Sequence, residues 1–126
     1  MNVLNLISVM AGGAIGAGLR YGISHWLANP EEIIPLGTLT VNILGSLILG
    51  ALFSYAQMHS FNETYRLFLM TGILGALTTF STFAVESLYL FQMGEIRYGM
   101  LNLIAHNGGG LLAAFLGFVI IRWLLG

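Results

Sequence analysis

The stretch Gly72-Ile-Leu-Gly-Ala-Leu-Thr-Thr-Phe-Ser-Thr-Phe-Ala-Val-Glu86 decides how this chain is read. It places two glycines, four hydroxyl residues and a carboxylate inside a segment otherwise apolar enough to cross a bilayer. In hydrocarbon an unsatisfied backbone or side-chain polar group costs several kcal/mol, so polar residues at that depth face a protein interior or a water-filled pathway. The segment is therefore expected to do more than anchor the chain, and an ion or solute pathway is the first reading.

Composition leads to the membrane independently. Hydrophobic residues make up 57% of the 126-residue chain and charged residues 7%, against roughly 25% charged in an ordinary soluble domain. With a mean hydropathy of +0.88, this is the composition of an integral membrane protein. The absence of cysteine excludes disulfides, thiolate metal sites and thiol catalysis. A net charge of -1, with no lysine and no basic run, offers nothing to nucleic acid. The first apolar run has no basic leader and is too long for a signal-peptide core, so it is expected to stay as a spanning helix.

Four runs are long enough to span, at about 3–28, 35–57, 65–91 and 97–125, so the expected fold is all-α, a single four-helix transmembrane domain with both termini on one side. Asn29-Pro-Glu-Glu32 marks the first turn, and Pro35 suits the first turn of the second helix. Arg66 and Arg122 belong to the side of the termini, Arg20 and Arg97 to the other. Orientation follows the excess of arginine and lysine on one face, and two against two expresses none. Such a chain is expected to insert both ways and to pair as an antiparallel homodimer.

The 17 glycines lie mostly inside the helices. Gly12, Gly16 and the Asn42, Ser46, Gly50 face read first as surfaces for close helix packing. Helices packed that tightly leave little room inside one subunit, so a permeation route is expected between subunits. In the third helix Gly72 and Gly75 precede Thr78-Thr79, a combination that favours a local break. A break frees carbonyls for a cation and amide ends for an anion; the alternative is a straight helix whose threonines bond back to the preceding turn. Phe80 and Phe83 share a face, either as core or as ring edges turned toward an anion. Asn42 is either interhelical glue or a pore donor, and Asn102, His106, Gly110 and Ala114 make a stripe at spacing four. Glu86 is a proton carrier or a carboxylate bonded to Thr79 and Thr82. Arg20 either snorkels or raises the potential of a vestibule.

Gly12-Gly13-x-x-Gly16-x-x-x-Arg20-Tyr21, Gly37-Thr38-Leu39-x-Val41-Asn42-x-x-Gly45 and Gly72-x-x-Gly75-x-x-Thr78-Thr79-Phe80-Ser81-Thr82-Phe83-x-x-Glu86 together resemble the signatures of the Fluc fluoride channels, also called the CrcB family. The resemblance covers the whole chain, and the Thr-Thr-Phe-Ser-Thr-Phe segment is its most specific part. It implies a fluoride-selective channel, not an enzyme, in the bacterial inner membrane, exporting fluoride passively and relieving its toxicity. It also implies a dual-topology homodimer with two antiparallel pores at the subunit interface. The carbonyls of Gly75 and Thr78 would hold a structural sodium ion on the dimer axis. Asn42, Phe80 and Phe83 would line the fluoride route with Thr79, Ser81, Thr82, Asn102 and His106, and Arg20 would stand at the vestibule.

One departure is visible. The fourth-helix track, which often carries hydroxyls in the family, ends here in Gly110 and Ala114, so backbone, water or the hydroxyls of Ser81 and Thr82 are expected to compensate. The rival reading is a small proton-coupled multidrug exporter, of similar length and topology, which would want its carboxylate in a substrate cavity, commonly in the first helix. Here the only intramembrane carboxylate is Glu86, in the third.

Overall fold

The computed structural model describes residues 2–126, and four helices in it are long and apolar enough to span a bilayer: Val3–Trp26, Leu36–Met58, Glu63–Gln92 and Ile96–Leu125. The chain is thus a multi-pass membrane protein. Asn2 caps the first helix by accepting from the Leu4 amide at 3.0 Å, and Asn62 caps the third from the Thr64 amide at 2.9 Å, replacing two of the amide partners that every helix start lacks. The third helix stops at Gly94, whose φ of 81° is the left-handed conformation that glycine adopts without strain. The Gly94 amide then bonds the Phe91 carbonyl and the Glu95 amide that of Leu90, closing a Schellman turn.

Two glycine seams fix how the helices meet. Gly12 and Gly16 are the buried residues of the first helix, and a Cβ on either would strike a backbone carbonyl of the third, Phe68 and Ile73 respectively. On the other side, a Cβ on Gly50 of the second helix would strike the Ala114 carbonyl, and one on Gly117 of the fourth would strike that of Leu47. Backbones in van der Waals contact gain the dispersion energy that lipid cannot match, the driving force for association in a bilayer. The stretches Leu67–Leu74 and Ala105–Gly109 are wound as π-helix, and the first of them carries the carbonyls that abut Gly12 and Gly16.

What is left for an apolar core is small: Val41, Leu74 and Leu77, with Ile23, Leu49 and Leu52 packed around them. Most large apolar side chains point outward, as they do when the surrounding solvent is hydrocarbon. Tyr21, Trp26, Tyr65 and Trp123 stand exposed near the span ends, the positions where amphipathic rings sit at the headgroup level.

Candidate functional site

The third helix is interrupted after Leu77. Thr78 (φ -79°, ψ 152°) and Thr79 (φ -150°, ψ 114°) are extended, and helix resumes at Phe80–Gln92. Both readings of the threonines hold in part. The Thr78 hydroxyl does bond back to the Leu74 carbonyl at 3.0 Å, and that carbonyl also takes the Thr78 amide at 3.1 Å. Thr79 turns away. Its amide, which in a continuous helix would donate to the Gly75 carbonyl, donates instead to Asn42 Oδ1 at 2.7 Å, and Asn42 Nδ2 donates to the Thr79 carbonyl at 3.1 Å. The break is therefore held from the second helix, and the Gly75 carbonyl loses its usual donor.

Thr79 also starts the second half of the third helix. Its Oγ1 accepts from the Thr82 amide at 3.3 Å and donates to Thr82 Oγ1 at 2.9 Å, with Ser81 Oγ 3.4 Å away. Ser81 and Thr82 themselves are exposed on the surface of the chain, at a helix N-terminus whose remaining amides carry partial positive charge.

Phe80 and Phe83 meet edge to face, centroids 5.3 Å apart at 70°, but their surroundings differ: Phe80 is 74% exposed and Phe83 4%. Phe83 stacks on His106, centroids 4.4 Å apart. Behind them runs a chain of hydrogen bonds whose direction is forced. The Ser87 hydroxyl donates to the Phe83 carbonyl at 2.9 Å, so it must accept from Asn102 Nδ2 at 3.0 Å. Asn102, with no exposed surface, is left with an unpartnered Oδ1. His106 Nδ1 lies 3.0 Å from the Asn102 carbonyl, which can only accept, so in the neutral ring the proton sits on Nδ1 and buried Nε2 has no partner. Ser87, which ties Asn102 to Phe83, was missed from sequence; its spacing of four from Phe83 was the available signal.

Glu86 does not bond to Thr79 or Thr82. Thr38 of the second helix donates to its Oε1 at 2.6 Å, leaving Oε2 buried without a partner. A cavity of about 690 Å³ reaches this pair from the 27–37 segment, with Ser24, Glu31, Pro35 and Glu95 on its walls. Arg20 is partly buried, within two turns of the end of the first helix. Gly110 and Ala114 face the second helix, beside Ser46 and Gly50 respectively.

No group of three or more His, Cys, Asp or Glu side chains among the described residues could hold a metal ion, which leaves neutral oxygens, backbone or side-chain, for a cation near the break. The Gly75 carbonyl, stripped of the Thr79 amide, is such an oxygen, and Thr78 lies in the extended segment that follows. Two carbonyls are half a shell at most for a hard cation, so these residues would fit a sodium ion only with as many oxygens again from elsewhere.

Residues 7–118 match the protein family described as "CrcB-like protein, Camphor Resistance (CrcB)". A protein named "Fluoride-specific ion channel FluC" from Parabacteroides distasonis is 39% identical over 119 residues, 94% of this chain and 93% of that one. Proteins of the same name from Acinetobacter baumannii and Shewanella halifaxensis are 40% and 43% identical, the first covering 96% of both chains, the second 90% of this chain and 92% of its own.

Proposed function

The chain belongs to the CrcB-like family, and from that membership we propose that it is a fluoride channel, letting fluoride leave the cell passively down its gradient. The observation that carries this reading is similarity over more than nine-tenths of both chains to proteins named for that activity. The Asn42-held break supports it, because a backbone opening clamped by a second helix is hard to explain as packing alone.

In this reading two copies pair in antiparallel fashion and the routes run along their interface. Exposed Phe80, Ser81 and Thr82 then face the partner rather than lipid. Fluoride is small and strongly hydrated, so closely placed donors and positive ring edges must offset the loss of its water. The amide end at Thr79 to Thr82, the hydroxyls there and the edges of Phe80 and Phe83 supply them. Asn42 spends one amide hydrogen on the Thr79 carbonyl and keeps another. Asn102 and His106 stand behind Phe83 and fix its ring, and Arg20 adds positive potential at one mouth. The carbonyls of Gly75 and Thr78, with their copies from the second chain, would hold a structural sodium ion that is not transported and supplies a fixed positive charge beside the anion route.

The test is flux from liposomes holding the purified protein. Fluoride should leave rapidly and chloride essentially not at all, with no dependence on a proton gradient. Comparable chloride flux would sink the channel reading, and flux of organic cations driven by protons would favour the exporter. Exchanging sodium for a bulky organic cation should loosen the dimer if the ion is structural.

A further inference from the structure

The second helix carries Thr38, Asn42, Ser46 and Gly50 at spacing four, and three of these have a defined counterpart. Thr38 donates a hydrogen bond to Glu86, Asn42 closes on Thr79, and Gly50 makes room for the Ala114 carbonyl. Ser46 has none. Thr78 and Ser87 bond the carbonyl four residues back, the usual resort of a hydroxyl in an apolar helix. Ser46 does not, and among the described residues its hydroxyl makes no hydrogen bond at all.

The geometry of the seam with the fourth helix says where that hydroxyl points. A Cβ on Gly109 would crowd the Ile43 side chain at 2.8 Å, and Cβ atoms on Gly50 or Gly117 would strike backbone carbonyls. A Cβ on Gly110 would meet a single atom within 4 Å, Ser46 Oγ at 3.7 Å. At that level the seam is open, and what stands at the opening is a free hydroxyl from the second helix.

We propose that Ser46 supplies, through the gap left by Gly110, the hydroxyl donor to the anion route that the fourth helix lacks below His106. The proposal rests on the fluoride-channel reading. A hydroxyl with no internal acceptor has its proton available for an anion, and a small, strongly hydrated ion is the one that gains most from such a donor. Gly110 is then the condition for Ser46 to reach the route, since a side chain at 110 would stand between them.

The arrangement predicts that the donor can be moved from one helix to the other. Fluoride flux is measured in liposomes for the wild type, Ser46→Ala, and Ser46→Ala combined with Gly110→Ser, with thermal unfolding and dimer elution recorded for each. Ser46→Ala should cut flux by about tenfold or more, the loss expected when one hydrogen bond to a charged group is removed, without changing elution. The double variant should return to within about threefold of wild type, because a serine fits at 110 and its hydroxyl enters the same gap. If Ser46→Ala does not fold, Ser46→Cys replaces it, keeping the shape with a weak donor. Flux within about twofold of wild type in the folded single variant overturns the proposal, since that is less than one lost hydrogen bond. So does a loss that the folded double variant fails to restore. A wild type that passes no fluoride would instead overturn the channel reading itself.

Discussion

The Asn42 side chain accepts the Thr79 amide proton at 2.7 Å and returns a donor to the Thr79 carbonyl at 3.1 Å, so one side chain satisfies both backbone groups of the residue at the helix break. Within a membrane span, where hydrocarbon offers no hydrogen-bond partner, this clamp makes an extended turn tolerable. Asn42→Ala should lower stability by about 1–3 kcal/mol, because it strands an amide and a carbonyl together. Thermal unfolding in detergent reads this directly; an unchanged midpoint would mean that the break does not depend on the second helix.

The two phenylalanines should separate in the same assay. Phe83 is 4% exposed against His106 and Phe80 74% exposed. Phe83→Leu should therefore cost about 1 kcal/mol of packing, while Phe80→Leu in a separated chain should stay within about 0.5 kcal/mol of wild type. Fluoride flux should fall in both, since either change removes a ring edge, and Phe83→Met should conduct better than Phe83→Leu because its flexible, polarizable chain can present a methyl edge. Near-normal flux in well-folded leucine variants at both positions would return these rings to a packing role.

These two sites show what the sequence could and could not tell. The four spans and the glycine faces were legible because length, hydropathy and residue size act locally. The break was half legible: Gly72, Gly75 and the threonines signalled weakness, but the bond that decides it comes from Asn42, 37 residues away in sequence. Of the two readings of Glu86, the one that bonds it to hydroxyls on its own helix face fails, because Thr38 of the neighbouring helix binds it. The unequal burial of Phe80 and Phe83 depends on where His106 lands, which periodicity within the third helix does not encode.

Glycine substitutions offer a contrast between closed and open parts of one seam. A Cβ on Gly50 meets the Ala114 carbonyl, carbonyl carbon and Cα, none of which can move without parting the helices. Gly50→Ala should cost about 1–3 kcal/mol, as overpacking does. Gly110→Ala meets only Ser46 Oγ at 3.7 Å and should be neutral or stabilising by up to about 1 kcal/mol, since alanine loses less backbone freedom in a helix. Equal losses at the two positions would contradict the packing described for this seam.

Orientation is the last quantity open to a direct test. Arg97 lies in the first turn of the fourth helix, at the bundle end where the first helix, carrying Arg20, finishes; Arg66 opens the third helix at the other end, where Arg122 donates to Gln57 at 3.4 Å. Each end thus holds two arginines, and the rule that orients membrane proteins by positive charge has nothing to act on. Because the chain has no cysteine, Ser60→Cys in the exposed turn between the second and third helices provides a unique label. An impermeant maleimide applied to intact cells should modify about half of the molecules. Adding Glu63→Lys puts further positive charge at that end, which should draw it inward and suppress labelling. If pairing is antiparallel, this biased variant alone should lose fluoride flux, and co-expression with a chain biased the other way should restore it. A single orientation in the unbiased chain, or full activity in the biased one, would leave no place for an antiparallel pair.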